Sequence, residues 1–307
     1  MATTTLRLDQ AVGFIKSHQN PDGGWGYEPR RASVVEPAAF CVLAVHARGD
    51  RPEAARGLAY LKACQKDTGA IGIGRQEPEG NWMAYAALLA FHALGAGPEE
   101  QRLKDWILGF EDASDRFTKE EISSISARFR YDASIRGWSW TPRTTAWVEP
   151  TALFILALRQ AGVPATEERI RSGVDLIIDR RAPSGGWNFG NPFSSSFELE
   201  ASTMSTALAL SALGAAGVPE SRPEARAGLS YLARAMNGDV STASLAWLLV
   251  AMKSFPSGAP VLSKLTPRLA RLQRSDGSFR GNLFETALAY LVLSDASILR
   301  PLRPGVP

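Results

Sequence analysis

Apolar residues along the chain fall into two alternating kinds of stretch. In one, typified by "AVGFIKSH" from residue 11, they recur at every third or fourth position with polar residues between. In the other, typified by "TALFILAL" from 151 and "SLAWLLVAM" from 244, they run almost without interruption. The first pattern is that of an amphipathic helix, the second that of a helix buried all round. A Gly-containing turn separates each pair, and the pair recurs about every 35 to 50 residues, the span of one helical hairpin. Alternation of period two is scarce, so little speaks for strands.

Six such copies are legible, the third degraded and the fifth with a short middle. Small residues such as Ala207, Ala209, Ala212, Ala243 and Ala246 dominate the apolar helices and permit close approach. Six hairpins of this kind satisfy their burial by placing the apolar helices inside and the amphipathic ones outside. The expected fold is all-α, an (α/α)6 toroid of six helical hairpins over residues 1–298, followed by a Pro-rich tail at 299–307. An open solenoid would need polar capping repeats, and neither end of the chain is polar enough. The segment 103–135 is the least repeat-like part, open to use as a lid, a membrane-contact element or a partner surface.

The turn inside each repeat has its own grammar. "KSHQNPDGGWGYE" ends the first amphipathic helix with Gln19, Gly23, Gly24 and Trp25, and the order returns as Gln65 with Gly69, Arg181 with Gly185 and Trp187, and Gln273 with Gly277 and Phe279. Glycine accepts the positive φ that stops a helix, and the Gln amide can pair backbone groups left over at helix ends. A phosphate cradle would follow a strand and appear once; this element repeats and follows helices, so it is a structural clasp.

These stretches, "AVGFIKSHQNPDGGW", "GLAYLKACQKDTGAI" and "GVDLIIDRRAPSGGW", resemble the QW repeat of squalene-hopene cyclases, oxidosqualene cyclases and protein prenyltransferase β subunits. Ile71 stands at one Trp position and Arg181 at one Gln position. The resemblance implies the toroid and an isoprenoid or other long apolar ligand. It does not imply the chemistry, since the clasp is scaffold. Those cyclases are roughly twice this size with two toroids, and open a buried helix with Pro-Asp-x-Asp-Asp-Thr-Ala, whose middle Asp protonates an alkene or epoxide. Here Trp147, Val148, Glu149 and Pro150 stand in that place, and "SVVEPAAF" puts Glu36 in the matching place of the first repeat.

Glu149 and Glu36 are therefore the candidate catalytic acids. Glu36-Pro37, Glu149-Pro150 and Glu285-Thr286 read as equivalent helix starts, which suggests a ring of carboxylates around one mouth of the fold. The plainer reading is that they serve the helix N-termini, where negative charge and a Pro in the first turn are favoured. In that role a lone Glu is ionised unless burial opposes it. The candidate ligand wall is aromatic: Trp82, Tyr85, Trp138, Trp140, Trp147, Trp247 and Phe284, with Phe154, Phe189, Phe193 and Phe197 in similar places. Such rings suit an apolar chain and stabilise carbocations, while each alone is also an ordinary core residue.

Composition narrows the rest. The chain has 307 residues, 45% hydrophobic and 21% charged, with a formal charge of +3 spread through the helices, so a nucleic-acid partner is not expected. Cys41 and Cys64 sit in apolar helices and read as reduced, buried thiols. Three histidines and no Asp-x-Cys pair leave no zinc site of the prenyltransferase kind, and no Asp-rich diphosphate segment is present, so neither metal nor cofactor is expected. The start "MATTTLRLDQ" lacks a leader pattern and no apolar run spans a bilayer, which points to the cytoplasm, with peripheral membrane contact or a protein partner left open.

Three functions follow: a single-toroid class II-like terpene cyclase or isomerase with a non-standard acid, a non-catalytic isoprenoid- or lipid-binding protein, and, with least support, a carbohydrate-active (α/α)6 enzyme, which needs two carboxylates at defined separation.

Overall fold

Helices made wholly of apolar and small residues have no face to give to water, and the fold is organised around burying them. The computed structural model describes residues 7–195, 197–236, 238 and 240–296; the Pro-rich tail expected at 299–307 lies outside them. Thirteen α-helices occur among the described residues: α1 Leu8–Ser17, α2 Val35–Arg48, α3 Arg51–Cys64, α4 Ala84–Leu94, α5 Gly97–Leu108, α6 Lys119–Phe129, α7 Val148–Gln160, α8 Glu168–Asp179, α9 Thr203–Ala215, α10 Pro223–Ala235, α11 Thr242–Lys253, α12 Ala259–Arg271 and α13 Leu283–Leu293. A two-stranded ribbon, β1 Phe193–Ser194 against β2 Phe197–Glu198, is antiparallel.

Twelve of the helices supply the six expected pairs. The thirteenth, α6, lies within the segment read as least repeat-like, opened by a Thr118/Glu121 capping box. The two helix types differ as the pattern requires. Every residue of α2 from Val35 to Val45 is buried, as is every residue of α9 from Ser205 to Ala215. In α8 burial is confined to one stripe, Arg169, Ile170, Gly173, Leu176 and Ile177.

Contacts group the chain into two compact units, one drawn from 1–107, 241–249 and 262–300, the other from 108–240, 250–261 and 301–307. In the first, α2 packs between α13 and α4, with α3 against α2 and α1 against α13. In the second, α7 packs on α9, α8 on α7 and α10 on α9.

Where the clasp carries Gln, it ties one repeat to another. Gln19 Nε2 donates to Gly23 O (2.8 Å) and to Glu53 O at the start of α3 (3.0 Å). Gln65 does the same to Gly69 O (3.1 Å) and Glu99 O near the start of α5 (3.0 Å). Gln273 Nε2 donates to Gly277 O (3.0 Å) and to Arg7 O before α1 (2.9 Å), so the sixth repeat holds the first by the contact that links the first to the second. The three glycines have φ of +88°, +87° and +87°, and a Cβ on any of them would strike the backbone of the helix being clasped, at Arg56, Arg102 and Gln10. Only glycine fits on both counts.

Arg181, at the Gln position of the fourth repeat, donates to Ala182 O instead. Each clasp indole plugs into a glycine of the next amphipathic helix: Trp25 at Gly57, Trp138 at Gly173 and Trp187 at Gly228. Trp25 and Trp187 also donate their Nε1–H to main-chain carbonyls, Ile15 at 2.8 Å and Ile177 at 2.5 Å.

Candidate functional site

The starts of four buried helices, α2, α7, α9 and α13, are set by their clasps. The residue before the helix donates its N–H to the carbonyl of the clasp residue: Val34 to Trp25, Trp147 to Trp138, Ser202 to Trp187 and Asn282 to Phe279. A Thr hydroxyl in the first turn then accepts the clasp residue's N–H, Thr151 from Trp138, Thr206 from Trp187 and Thr286 from Phe279, each at 2.9 Å. This register puts Glu36, Glu149, Met204 and Phe284 in one structural position. Glu285 is thus one residue out of step with Glu36 and Glu149, three residues after the clasp-bonded position where they are two. The three glutamates expected to be equivalent are therefore not so; the acidic position is held by Glu36 and Glu149.

Glu36 lies in the first unit, in the first turn of α2, and is 5% exposed. Tyr27 Oη donates to Oε2 (2.5 Å) and Tyr85 Oη to Oε1 (2.6 Å). Burial raises the Glu36 pKa above the ordinary carboxylate value, and the two tyrosine hydrogen bonds pull against it. Burial, followed by the field of the carboxyl, raises both tyrosines as well, which keeps the hydroxyls protonated as donors. Loss of solvation is thus the largest influence on Glu36, and it acts toward the protonated acid.

Around this carboxyl the first unit gathers aromatic rings. Phe40, one turn along α2, is the hub, with centroids 5.0 Å from Phe284, 6.1 Å from Tyr85 and 6.4 Å from Trp247. Trp82 stacks on Tyr85 at 5.9 Å, and Tyr27 meets Phe284 edge-on at 6.2 Å. Tyr85, Phe40 and Trp247 are buried; Tyr27, Trp82 and Phe284 are half-buried. Tyr27 is also a backbone link, its carbonyl accepting Leu283 N–H at the start of α13 (2.7 Å).

Glu149 lies in the second unit, half-buried in the first turn of α7. Its Oε1 accepts from Ser205 Oγ on α9 (2.7 Å), which is 2.8 Å from Ser202 Oγ. Burial raises its pKa too, opposed by the serine hydrogen bond. Trp147 precedes α7 with its ring against the Gly190 backbone. Phe189, whose carbonyl accepts Val148 N–H, is 59% exposed.

Of the residues singled out in the sequence, Glu36, Trp82, Tyr85, Trp247 and Phe284 come together in one cluster. Glu149 and Trp147 form a second, sparser group, and Trp140 is half-buried in the loop before α7. Trp138 is fully buried as a clasp indole, with the Arg169 guanidinium 4.3 Å from its ring, and has no free face for a ligand. Tyr27, Phe40 and Ser205 escaped the sequence reading. Phe40 had a signal, since it sits four residues after Glu36 and so on the same helix face.

The second unit also holds a cavity of about 10 Å³ lined by Asp112, Tyr131 and Arg180, room for roughly one water. Among the described residues no three His, Cys, Asp or Glu side chains gather where a metal ion could be held, and no helix is long and apolar enough to cross a membrane.

No family model matches the chain. Over 69 residues it is 42% identical to drimenyl diphosphate synthase of Streptantibioticus cattleyicolor, a stretch covering 22% of this chain and 13% of that protein. Among solved structures it is similar to the type II terpene cyclase MstE from Scytonema, with a TM-score of 0.62 and 17% identity over 95% of this chain and 97% of that one. A substituted form of that cyclase, bound to its substrate geranylgeranyl dihydroxybenzoate, superposes with a TM-score of 0.63 at 17% identity, again over 95% and 97%. An α-amylase from Clostridium perfringens matches with a TM-score of 0.64 at 10% identity over 96% and 99%. At these identities the likeness is one of fold. The chain has a terpene-cyclase-like fold, and the all-α, α/α-toroid class expected from the sequence is the class of those cyclases. That an amylase shares it leaves the chemistry to be argued from the side chains.

Proposed function

We propose that the protein binds an isoprenoid or similar long apolar chain and isomerises or cyclises it by protonating an alkene, with Glu36 as the acid. The single observation behind this is the Glu36 carboxyl held between two tyrosine hydroxyls beneath an aromatic cluster. Burial raises its pKa above the ordinary carboxylate value, which works toward the protonated form a general acid needs. Once the proton has left, Tyr27 and Tyr85 both donate to the carboxylate, and such charge-assisted bonds stabilise the conjugate base. Two tyrosines would thus do here what the missing carboxylates of Asp-x-Asp-Asp do in the related cyclases. Tyr85, Trp82, Phe40 and Phe284 would present π faces to the cation that results. The bound substrate of the Scytonema cyclase, a geranylgeranyl chain, supports the choice of ligand class.

The test is incubation of purified protein with squalene and with prenyl diphosphates of increasing length, alongside Glu36→Gln and Glu149→Gln. The reading expects conversion by the wild type and by Glu149→Gln and none by Glu36→Gln; conversion that survives loss of Glu36 overturns it. A second reading, binding without turnover, draws on the 5% exposure of Glu36, which leaves the acid little open surface. Saturable isoprenoid binding by wild type and Glu36→Gln alike, with no product from either, would select it.

A further inference from the structure

An alkene has to meet the hydrogen of its acid directly, and both oxygens of Glu36 are covered. The side chain is buried, with Tyr85 Oη 2.6 Å from Oε1 and Tyr27 Oη 2.5 Å from Oε2. Proton transfer needs the donor oxygen about 3–3.5 Å from the receiving carbon, and each hydroxyl stands where that carbon would lie. One of the two tyrosines must turn aside.

The two are held very differently. Tyr85 is buried in the first turn of α4, stacked on Trp82 at 5.9 Å and tilted against Phe40 at 6.1 Å. Turning it would disrupt a close-packed interior. Tyr27 stands half-buried in the loop between the clasp and α2, its ring meeting Phe284 edge-on at 6.2 Å. Its backbone is fixed from both sides: the Tyr27 carbonyl accepts Leu283 N–H at 2.7 Å, and the Trp25 carbonyl accepts Val34 N–H at 3.0 Å. A turn of the Tyr27 side chain about its Cα–Cβ bond, toward the solvent it already partly meets, uncovers Oε2 and leaves the loop and both helices in place.

We propose that Tyr27 is a side-chain gate over the acid and that Oε2 is the oxygen that delivers the proton, an inference that rests on the function proposed above. With the gate closed, the protonated acid carries its hydrogen on Oε2 and donates it to the Tyr27 hydroxyl, which can accept as well as donate, while Tyr85 donates to Oε1. When Tyr27 turns away, an alkene takes its place. The Oε2–H bond then breaks, the alkene electron pair forms a C–H bond with the proton, and the other alkene carbon is left cationic. Tyr85 holds the carboxylate in position throughout, and Tyr27 donates to it again once the product has left.

Tyr27→Phe and Tyr85→Phe test this, after thermal melts establish that both fold. Each removes one hydrogen bond from the same carboxyl, so a difference between them reads the gate and not the charge. First, the proteins are treated with a water-soluble carbodiimide and glycine ethyl ester, and modification of Glu36 is read by mass spectrometry. Tyr27→Phe, whose gate has lost the bond that holds it shut, should label about tenfold faster than wild type, and Tyr85→Phe much less so. Equal labelling of the two variants, or no gain in Tyr27→Phe, overturns the gate. Second, isothermal titration measures binding of farnesol and of geranylgeraniol. The closed gate lowers apparent affinity by the fraction of open molecules, so Tyr27→Phe should bind both about tenfold more tightly than wild type, and Tyr85→Phe should not. Unchanged or weaker binding by Tyr27→Phe overturns the gate, since loss of a merely structural tyrosine does not tighten binding. Failure of wild type to bind either alcohol overturns the function proposed above, while the labelling still reads whether Tyr27 covers Glu36.

Discussion

The Tyr85 hydroxyl lies 2.6 Å from Glu36 Oε1, although the two residues are 49 positions apart and belong to successive repeats. The contact exists because α2 and α4 pack side by side with both residues near their starts. Since this bond favours the carboxylate, Tyr85→Phe should raise the Glu36 pKa further and cost about 1 kcal/mol of stability. The infrared carbonyl band of the protonated acid should persist to higher pH in Tyr85→Phe than in wild type and vanish in Glu36→Gln. An unshifted band would mean that the tyrosine does not tune the acid.

The raised pKa of Glu36 also dictates how stability depends on pH. The unfolded chain releases this proton at about pH 4.3, the native protein only at a higher value. Between the two the native state holds more protons, so the proton-linked stability is complete below the unfolded value and is lost as pH rises through the native one. Glu36→Gln removes the dependence, so its melting temperature should gain on that of wild type from about pH 4 upward. Glu149 titrates in both proteins and cancels in the comparison. A constant difference across that range would contradict the assignment.

Clasp residues should behave as scaffold. Trp25→Ala should cost about 3–5 kcal/mol by leaving a cavity, and Gly57→Ala about 1–3 kcal/mol by driving a methyl into Trp25 and Val42. Gln273→Ala removes the donor from Arg7 O and Gly277 O and should accelerate amide hydrogen exchange in α1, which depends on that joint. Chemical denaturation and exchange mass spectrometry read these effects.

Two kinds of tryptophan should part company. Trp138→Ala should lower the melting temperature strongly, through the emptied clasp and the lost stacking of Arg169 on the ring, without altering isoprenoid affinity in the folded fraction. Trp82→Ala, at the half-buried edge of the Glu36 cluster, should weaken binding severalfold with a smaller loss of stability. Equal effects on affinity would put the ligand elsewhere.

The helices were legible because burial writes its period into the chain: α2 and α9 could not be other than buried. The clasp was legible because positive φ demands glycine. What the pattern did not carry was register. "FETA" looks like "VEPT" by eye, yet the backbone bond from Asn282 to Phe279, matching that from Val34 to Trp25, shows that Phe284, not Glu285, matches Glu36. Tyr27 was missed because it stands in a loop, where no periodicity marks which way a side chain turns. The helix-dipole argument gave an ionised Glu36 unless burial opposed it, and how far the side chain is buried was the part the sequence could not supply; burial does oppose it, raising the pKa.

The most direct measurement is the fate of one proton. With the converted isoprenoid incubated in D2O, wild type should give product carrying one deuterium at the carbon that Glu36 protonates, and Glu36→Gln, folded and still binding the chain, should give no labelled product. Labelled product formed by Glu36→Gln at the wild-type rate would contradict the account.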